Sequence, residues 1–314
     1  MPQPIERSNL VAVKGELPRR WLLFGAWLFT CSLLFWRPLT TLFRLSLQQD
    51  DLSYIIVIPV SAACMLFIER KSIFRRVSDP WIELPFLVAA IGLATATYWV
   101  KPIPPDVQLA GRVVAYLLLL TAGFAISFGF AALRAASFPL SYLLLMVPPP
   151  AFVLNRATHI LQAGSAALTG VFFDLLRVPA LREGFVFHLP QFSIAVAKEC
   201  SGIRSSMALL IIALPVLHFG IRALWKKAAF LTCAILVMFI KNSIRIVTLA
   251  LLAINVDPSF LFGRLHHQGG IVFFLIGLFL LMPIYAALQD LEPPTRKGPT
   301  RAYNSQARTA SHSV

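Results

Sequence analysis

Residues 228–254 read Ala-Ala-Phe-Leu-Thr-Cys-Ala-Ile-Leu-Val-Met-Phe-Ile-Lys-Asn-Ser-Ile-Arg-Ile-Val-Thr-Leu-Ala-Leu-Leu-Ala-Ile, and this stretch decides the fold class. A nearly unbroken apolar run of this length predicts a bilayer-crossing helix. Lys241, Asn242 and Arg245 interrupt it near its far end. Polar side chains inside such a run are costly, and that makes them functional candidates. The composition points the same way: 58% of the chain is hydrophobic and 13% charged. Soluble domains carry about a quarter charged residues. The expectation is an all-α integral membrane protein.

Outward from this run the pattern repeats. Toward the N-terminus, Ile203–Phe219 is a span, closed by Arg222, Lys226 and Lys227. Earlier spans are expected over Trp21–Phe35, Tyr54–Ile68, 81–99, Val113–Phe130 and Phe138–Val147. The last of these stops at Pro148-Pro149-Pro150. Toward the C-terminus, Gly269–Leu288 is the final span. Residues 1–20 lack a cleavage signature and read as a cytoplasmic tail before a retained helix. The membrane domain covers 21–289, and 290–314 is rich in Pro, Ser, Thr and Arg and reads as a disordered cytoplasmic tail.

Residues 151–201 differ. The segment 157–176 is apolar at helical spacing but carries His159, Gln162, Thr169 and Asp174. Residues 184–196 read as a short hairpin. With the N-terminus inside, Arg70–Arg76, Arg134, Arg222–Lys227 and the tail all fall inside, provided 157–176 is interfacial or re-entrant. That gives about eight crossings. The formal net charge of +14 is absorbed by these clusters, so nucleic acid is not the expected partner. No internal repeat supports a transporter architecture.

The chemistry concentrates where Lys198-Glu199-Cys200-Ser201-Gly202-Ile203-Arg204 opens the sixth span. Cys31, Cys64 and Cys233 have apolar neighbours and read as small buried hydrophobes. Cys200 has two cations and a carboxylate within four residues, surroundings that favour a thiolate. Gly202 permits close backbone approach, and the helix starting there sets a positive dipole end near the thiol. Glu199 and Arg204 read as supporting charges. In this topology Arg245, about 26 Å along its helix, and the pair His266 and His267 reach the same outer surface. A histidine can take the thiol proton, and an arginine can stabilise an oxyanion. Asn242 shares Arg245's helix face. His159, His188 and His218 read as ordinary packing or loop residues. This set fits a transpeptidase or a thiol protease, and composition does not separate them. No His-Glu-x-x-His or Gly-x-Ser-x-Gly pattern occurs, the cysteines lack metal-ligand spacing, and neither a metal nor another cofactor is expected.

Glu199-Cys200-Ser201-Gly202-Ile203-Arg204, Asn242-Ser243-Ile244-Arg245-Ile246 and His266-His267-Gln268-Gly269-Gly270, in this order, resemble the exosortase/archaeosortase family. Ser53-Tyr54, Ile58-Pro59 leading to Glu69-Arg70-Lys71, and Glu183-Gly184 after the triple proline agree, so the likeness covers roughly residues 50–285. Ile271 stands where many relatives have an aromatic residue. The resemblance implies Cys200 as nucleophile, Arg245 as transition-state stabiliser and His266, four residues before Gly270, as acid/base, with His267 the alternative. It implies exported substrates bearing a C-terminal sorting signal: a short motif such as Pro-Glu-Pro, a membrane helix and a basic tail. It also implies an amine, polysaccharide or water acceptor, and an extracytoplasmic site on the bacterial cytoplasmic membrane. The rival expectations are a purely hydrolytic thiol protease and a transporter or scaffold of exopolysaccharide assembly.

Overall fold

The computed structural model describes residues 4–76, 104–196, 202–261 and 270–291, with isolated helical positions between 88 and 96. The span expected over 81–99 and the C-terminal tail lie outside the described residues. Five described helices are long and apolar enough to cross a membrane: Asp51–Ile73, Pro105–Phe128, Ile203–Gly220, Leu224–Asn255 and Gly270–Asp290. Two bent pairs raise the number to seven if each is one span. The chain is an all-α multi-pass membrane protein.

The first pair joins α1 (Pro4–Leu34) to α2 (Trp36–Gln48) at 75°. The sequence predicts only one helix ending near Phe35. Pro38 explains the break: its ring excludes the carbonyl four residues earlier, that of Leu34, where α1 stops. Beyond the bend α2 buries Pro38, Leu42 and Ser46, four residues apart on one face. A 3-10 turn (Asp50–Ile56) leads into α3 (Val57–Ile73). α4 (Pro105–Phe128) begins earlier than expected because Pro105 is pre-set for a first helical position, and it ends at Gly129.

Short helices α5 (Phe130–Ala135) and α6 (Ser137–Tyr142), then a 3-10 turn to Met146, bring the chain to the triple proline. The expected fifth span is therefore ten residues of helix, too short alone for a bilayer core. The long element here is α7 (Ala151–Leu175), bent 92° from it. Its first amide, Ala151 N, donates to the Asp106 carboxylate of α4 at 2.7 Å, a negative charge suited to a helix start.

Three strands follow: β1 (Leu181–Glu183), β2 (Val186–His188) and β3 (Ser193–Ala195). They form one antiparallel sheet with Arg182 opposite Phe187 and Phe187 opposite Ile194. The expected hairpin is thus β2–β3, with β1 added at its edge. Three helices complete the structure: α8 (Ile203–Gly220), α9 (Leu224–Asn255) and α10 (Gly270–Asp290).

Small residues let these helices approach closely, as membrane helices require where water does not drive packing. Trp27 of α1 lies in the notch of Gly123 on α4, its indole N–H donating to the Leu119 carbonyl at 2.9 Å. Phe239 of α9 lies against Gly164 of α7, and Tyr285 of α10 against Gly220 of α8. Two ties join the N-terminal helices to α8. The Tyr142 hydroxyl donates to the Ile211 carbonyl at 3.0 Å, and His218 Nε2 meets Glu69 Oε1 at 2.9 Å. Phe138 stacks flat on the His218 ring, 3.9 Å between centroids.

Candidate functional site

The directions of the last four helices build the site. Gly277 of α10 lies against Leu209 of α8, and Tyr285 reaches Gly220, so α8 and α10 run the same way. α9 runs opposite to both: Phe230 meets Tyr285, whereas Lys241 meets Gly277. α7 follows α9 in parallel. Gly164 faces Phe239, Ser165 faces Asn242 and Ser243, and Phe173 shares a cluster with Ile246, Val247 and Ala250. The segment 157–176 is therefore packed lengthwise on α9 and does not lie across it. One end of the four-helix set collects the starts of α8 and α10, the last third of α9 and the end of α7.

At that end three consecutive residues of α9 each hold a different neighbour. Lys241, 1% exposed, donates from Nζ to Ser205 Oγ of α8 at 2.5 Å. Asn242 Nδ2 donates to Ser165 Oγ of α7 at 3.0 Å. The Ser243 hydroxyl lies 2.9 Å from the carbonyls of both Ser165 and Phe239. Arg245, one turn further, is buried as well.

Gly202 completes this layer. Its φ of +71° is a left-handed conformation, and a Cβ there would come within 2.7 Å of Asn242 Oδ1. Both facts require glycine. Its carbonyl accepts from Ser205 Oγ at 3.0 Å and from the Ser206 amide at 2.9 Å, fixing the first turn of α8. Arg204 is exposed.

The sheet covers the part of α9 that continues past Arg245 to Asn255. Phe187 is 1% exposed and packs edge-on to Phe173 at 5.3 Å. Val196 is pinned twice: its carbonyl accepts from Gln162 Nε2 at 2.7 Å, and its amide donates to the Phe185 carbonyl at 2.8 Å. Val196 and Gly202 are the fixed points on either side of 197–201. A cleft of about 410 Å³ opens beside the sheet, lined by Arg177, Gln191, Leu251 and Asn255 among others. Past α9, the Asp257 carboxylate accepts the Ser259 amide at 2.6 Å, which holds it below the usual carboxylate range.

Of the residues singled out from sequence, Gly202 and Asn242 meet, Arg245 is buried one turn further along α9, and Arg204 is exposed on α8. Cys200, Ser201, His266 and His267 lie outside the described residues. Among those described, no group of three or more His, Cys, Asp or Glu side chains is arranged to hold a metal ion. His188 is bonded to Ser193 at 2.8 Å, and His218 to Glu69 at the far end of α8. Sequence reasoning gave no role to Ser165, to Gly277, or to Ser205, which lies in the polar stretch around Cys200. The signal available was a small residue facing each polar residue of α9, visible only once the helices are paired.

No curated protein and no solved structure matches the chain. A family model does: residues 45–283, well over half of the chain, match the transmembrane exosortase model. This range contains the whole layer just described and both ties between α8 and the N-terminal helices. The chain belongs to the transmembrane exosortase family and is a multi-pass membrane protein of exosortase type.

Proposed function

We propose that the chain is a cysteine transpeptidase that cuts the C-terminal sorting signals of exported proteins at the extracytoplasmic face of the bacterial cytoplasmic membrane. The observation that carries this reading is the contact of Gly202 with Asn242, with Arg245 buried one turn further along the same helix. In sequence Cys200 stands two residues before Gly202 and His266 four before Gly270, where α8 and α10 begin. Membership of a family of cysteine transpeptidases and proteases adds support.

In this mechanism His266 takes the proton of the Cys200 thiol, with His267 the alternative. The thiolate attacks the scissile carbonyl, whose oxygen becomes an anion facing the Arg245 guanidinium. Collapse breaks the C–N bond, and the protonated histidine gives its proton to the leaving amine. The leaving piece keeps the membrane helix and basic tail of the substrate. An amine or a polysaccharide hydroxyl then attacks the thioester, giving its proton to the now neutral histidine as the C–S bond breaks and releases the thiolate. Water as acceptor would make the enzyme a hydrolase. Membrane lipid surrounds both helices throughout, and no cofactor takes part.

The test is processing of a reporter ending in a Pro-Glu-Pro motif, an apolar helix and a basic tail. Cys200→Ala should abolish cleavage while the protein stays folded and membrane-inserted. Arg245→Lys should lower it on the order of a hundredfold, the scale for loss of one oxyanion donor. Full cleavage by Cys200→Ala would favour a transporter or scaffold. A product with a free carboxylate instead of a joined acceptor would favour the hydrolase.

A further inference from the structure

Lys241 is a residue that the proposed mechanism does not use. It is 1% exposed and inside a membrane helix, yet among the described residues no carboxylate lies within ion-pair distance of it. The nearest charge on its own helix is like-signed Arg245, one turn away. The facing level of α10 is Gly277, and α8 offers Ser205 and, on its exposed side, Arg204. Burying an ammonium without a counter-charge is costly, and such residues in membranes mark function.

Two neighbouring helices are shaped around it. Gly277 leaves space for the lysine stem, since a Cβ there would stand 2.9 Å from Lys241 Cδ. Nζ donates to Ser205 Oγ at 2.5 Å, and that hydroxyl passes its own hydrogen to the Gly202 carbonyl at 3.0 Å. The relay ends two residues from Cys200. A neutral amide would hold Ser205 equally well without the desolvation cost, so the positive charge itself is what lysine adds.

We infer that Lys241 is a positioning residue for the thiol reaction: through Ser205 it locks the Gly202 turn and adds a buried positive charge at that turn, two residues along the chain from Cys200. This inference rests on the reading of Cys200 as the nucleophile. Its role is distinct from that of Arg245, which faces the substrate oxyanion. Lys241 acts from behind the turn and touches no substrate atom.

The experiment uses the full-length protein in membranes with Cys31, Cys64 and Cys233 replaced by serine, leaving Cys200 as the only thiol. The rate of iodoacetamide alkylation is followed against pH. In the parent the midpoint should fall well below the ordinary thiol value of about 8.5. Lys241→Met should raise it by about one unit, roughly a tenfold loss of reactivity at neutral pH, as expected when a nearby cation is removed. Ser205→Ala should shift it the same way, and Ser205→Thr, which restores the hydroxyl, should bring it back. A parent midpoint at the ordinary thiol value would sink the nucleophile reading itself. A low parent midpoint that neither Lys241→Met nor Ser205→Ala moves would overturn only the role of Lys241. Reporter cleavage lost in these variants with the alkylation profile unmoved would overturn it too, because the lysine would then be merely structural.

Discussion

Gly202 is a single-residue requirement with two independent causes, its left-handed backbone and the Asn242 oxygen where a Cβ would stand. Gly202→Ala should therefore lose more than the ~1 kcal/mol that positive φ alone usually costs. The expected outcome is a lower thermal unfolding midpoint together with lost reporter cleavage. An alanine variant with native stability and activity would mean that the turn is not held as described. At this scale much was legible in the sequence. Gly202, Asn242 and Arg245 stand out because each is small or polar beside an apolar run. Lys241 was visible as part of the same patch, but its partner was not, because Ser205 looks like any serine in a first helical turn.

The elements show where reading from sequence stops. The runs that became α8, α9 and α10 were legible to within a few residues, since each is long and apolar apart from the patch at Lys241, Asn242 and Arg245. α7 was not, and its polar residues are the reason. Gln162, Ser165 and Thr169 are buried inside the protein, two of them bonded to the sheet or to α9, whereas in sequence they imitate the polarity of an interfacial segment. The bend between α1 and α2 was hidden because Arg37, just past it, reads as the end of a single span, and only Pro38 marks the break. The sheet gives the prediction that belongs to this scale. Phe187 is its one fully buried anchor, and Phe187→Ala should weaken docking of the sheet by on the order of 3–5 kcal/mol. Limited proteolysis should then cut within 181–195 in the variant and not in the parent. Equal resistance in both would show that the Val196 bonds alone hold the sheet.

For the whole molecule, the parallel course of α7 and α9 fixes a sidedness. The turn after α7 and the turn between α8 and α9 must lie at opposite ends of the four-helix set. In a background lacking native cysteines, Arg177→Cys should react with a membrane-impermeant maleimide in intact cells, and Arg222→Cys only after permeabilisation. Labelling of both from one side would break the helix arrangement. The reverse pattern would keep the arrangement and invert its orientation. The charge clusters supply the sequence's expectation for the orientation, with Arg222, Lys226 and Lys227 on the retained side. The packing order was not readable, since the apolar faces of these helices carry no label for their neighbours.

Five residues of sequence, 197–201, separate Val196, bonded under the sheet, from Gly202, seated against Asn242. If the proposed sulfur acts from between these two points, the bond to be cut has to be delivered at one set height above the lipid. Selection then works as a ruler: the spacing between motif and membrane anchor in a client protein would matter as much as the letters of the motif.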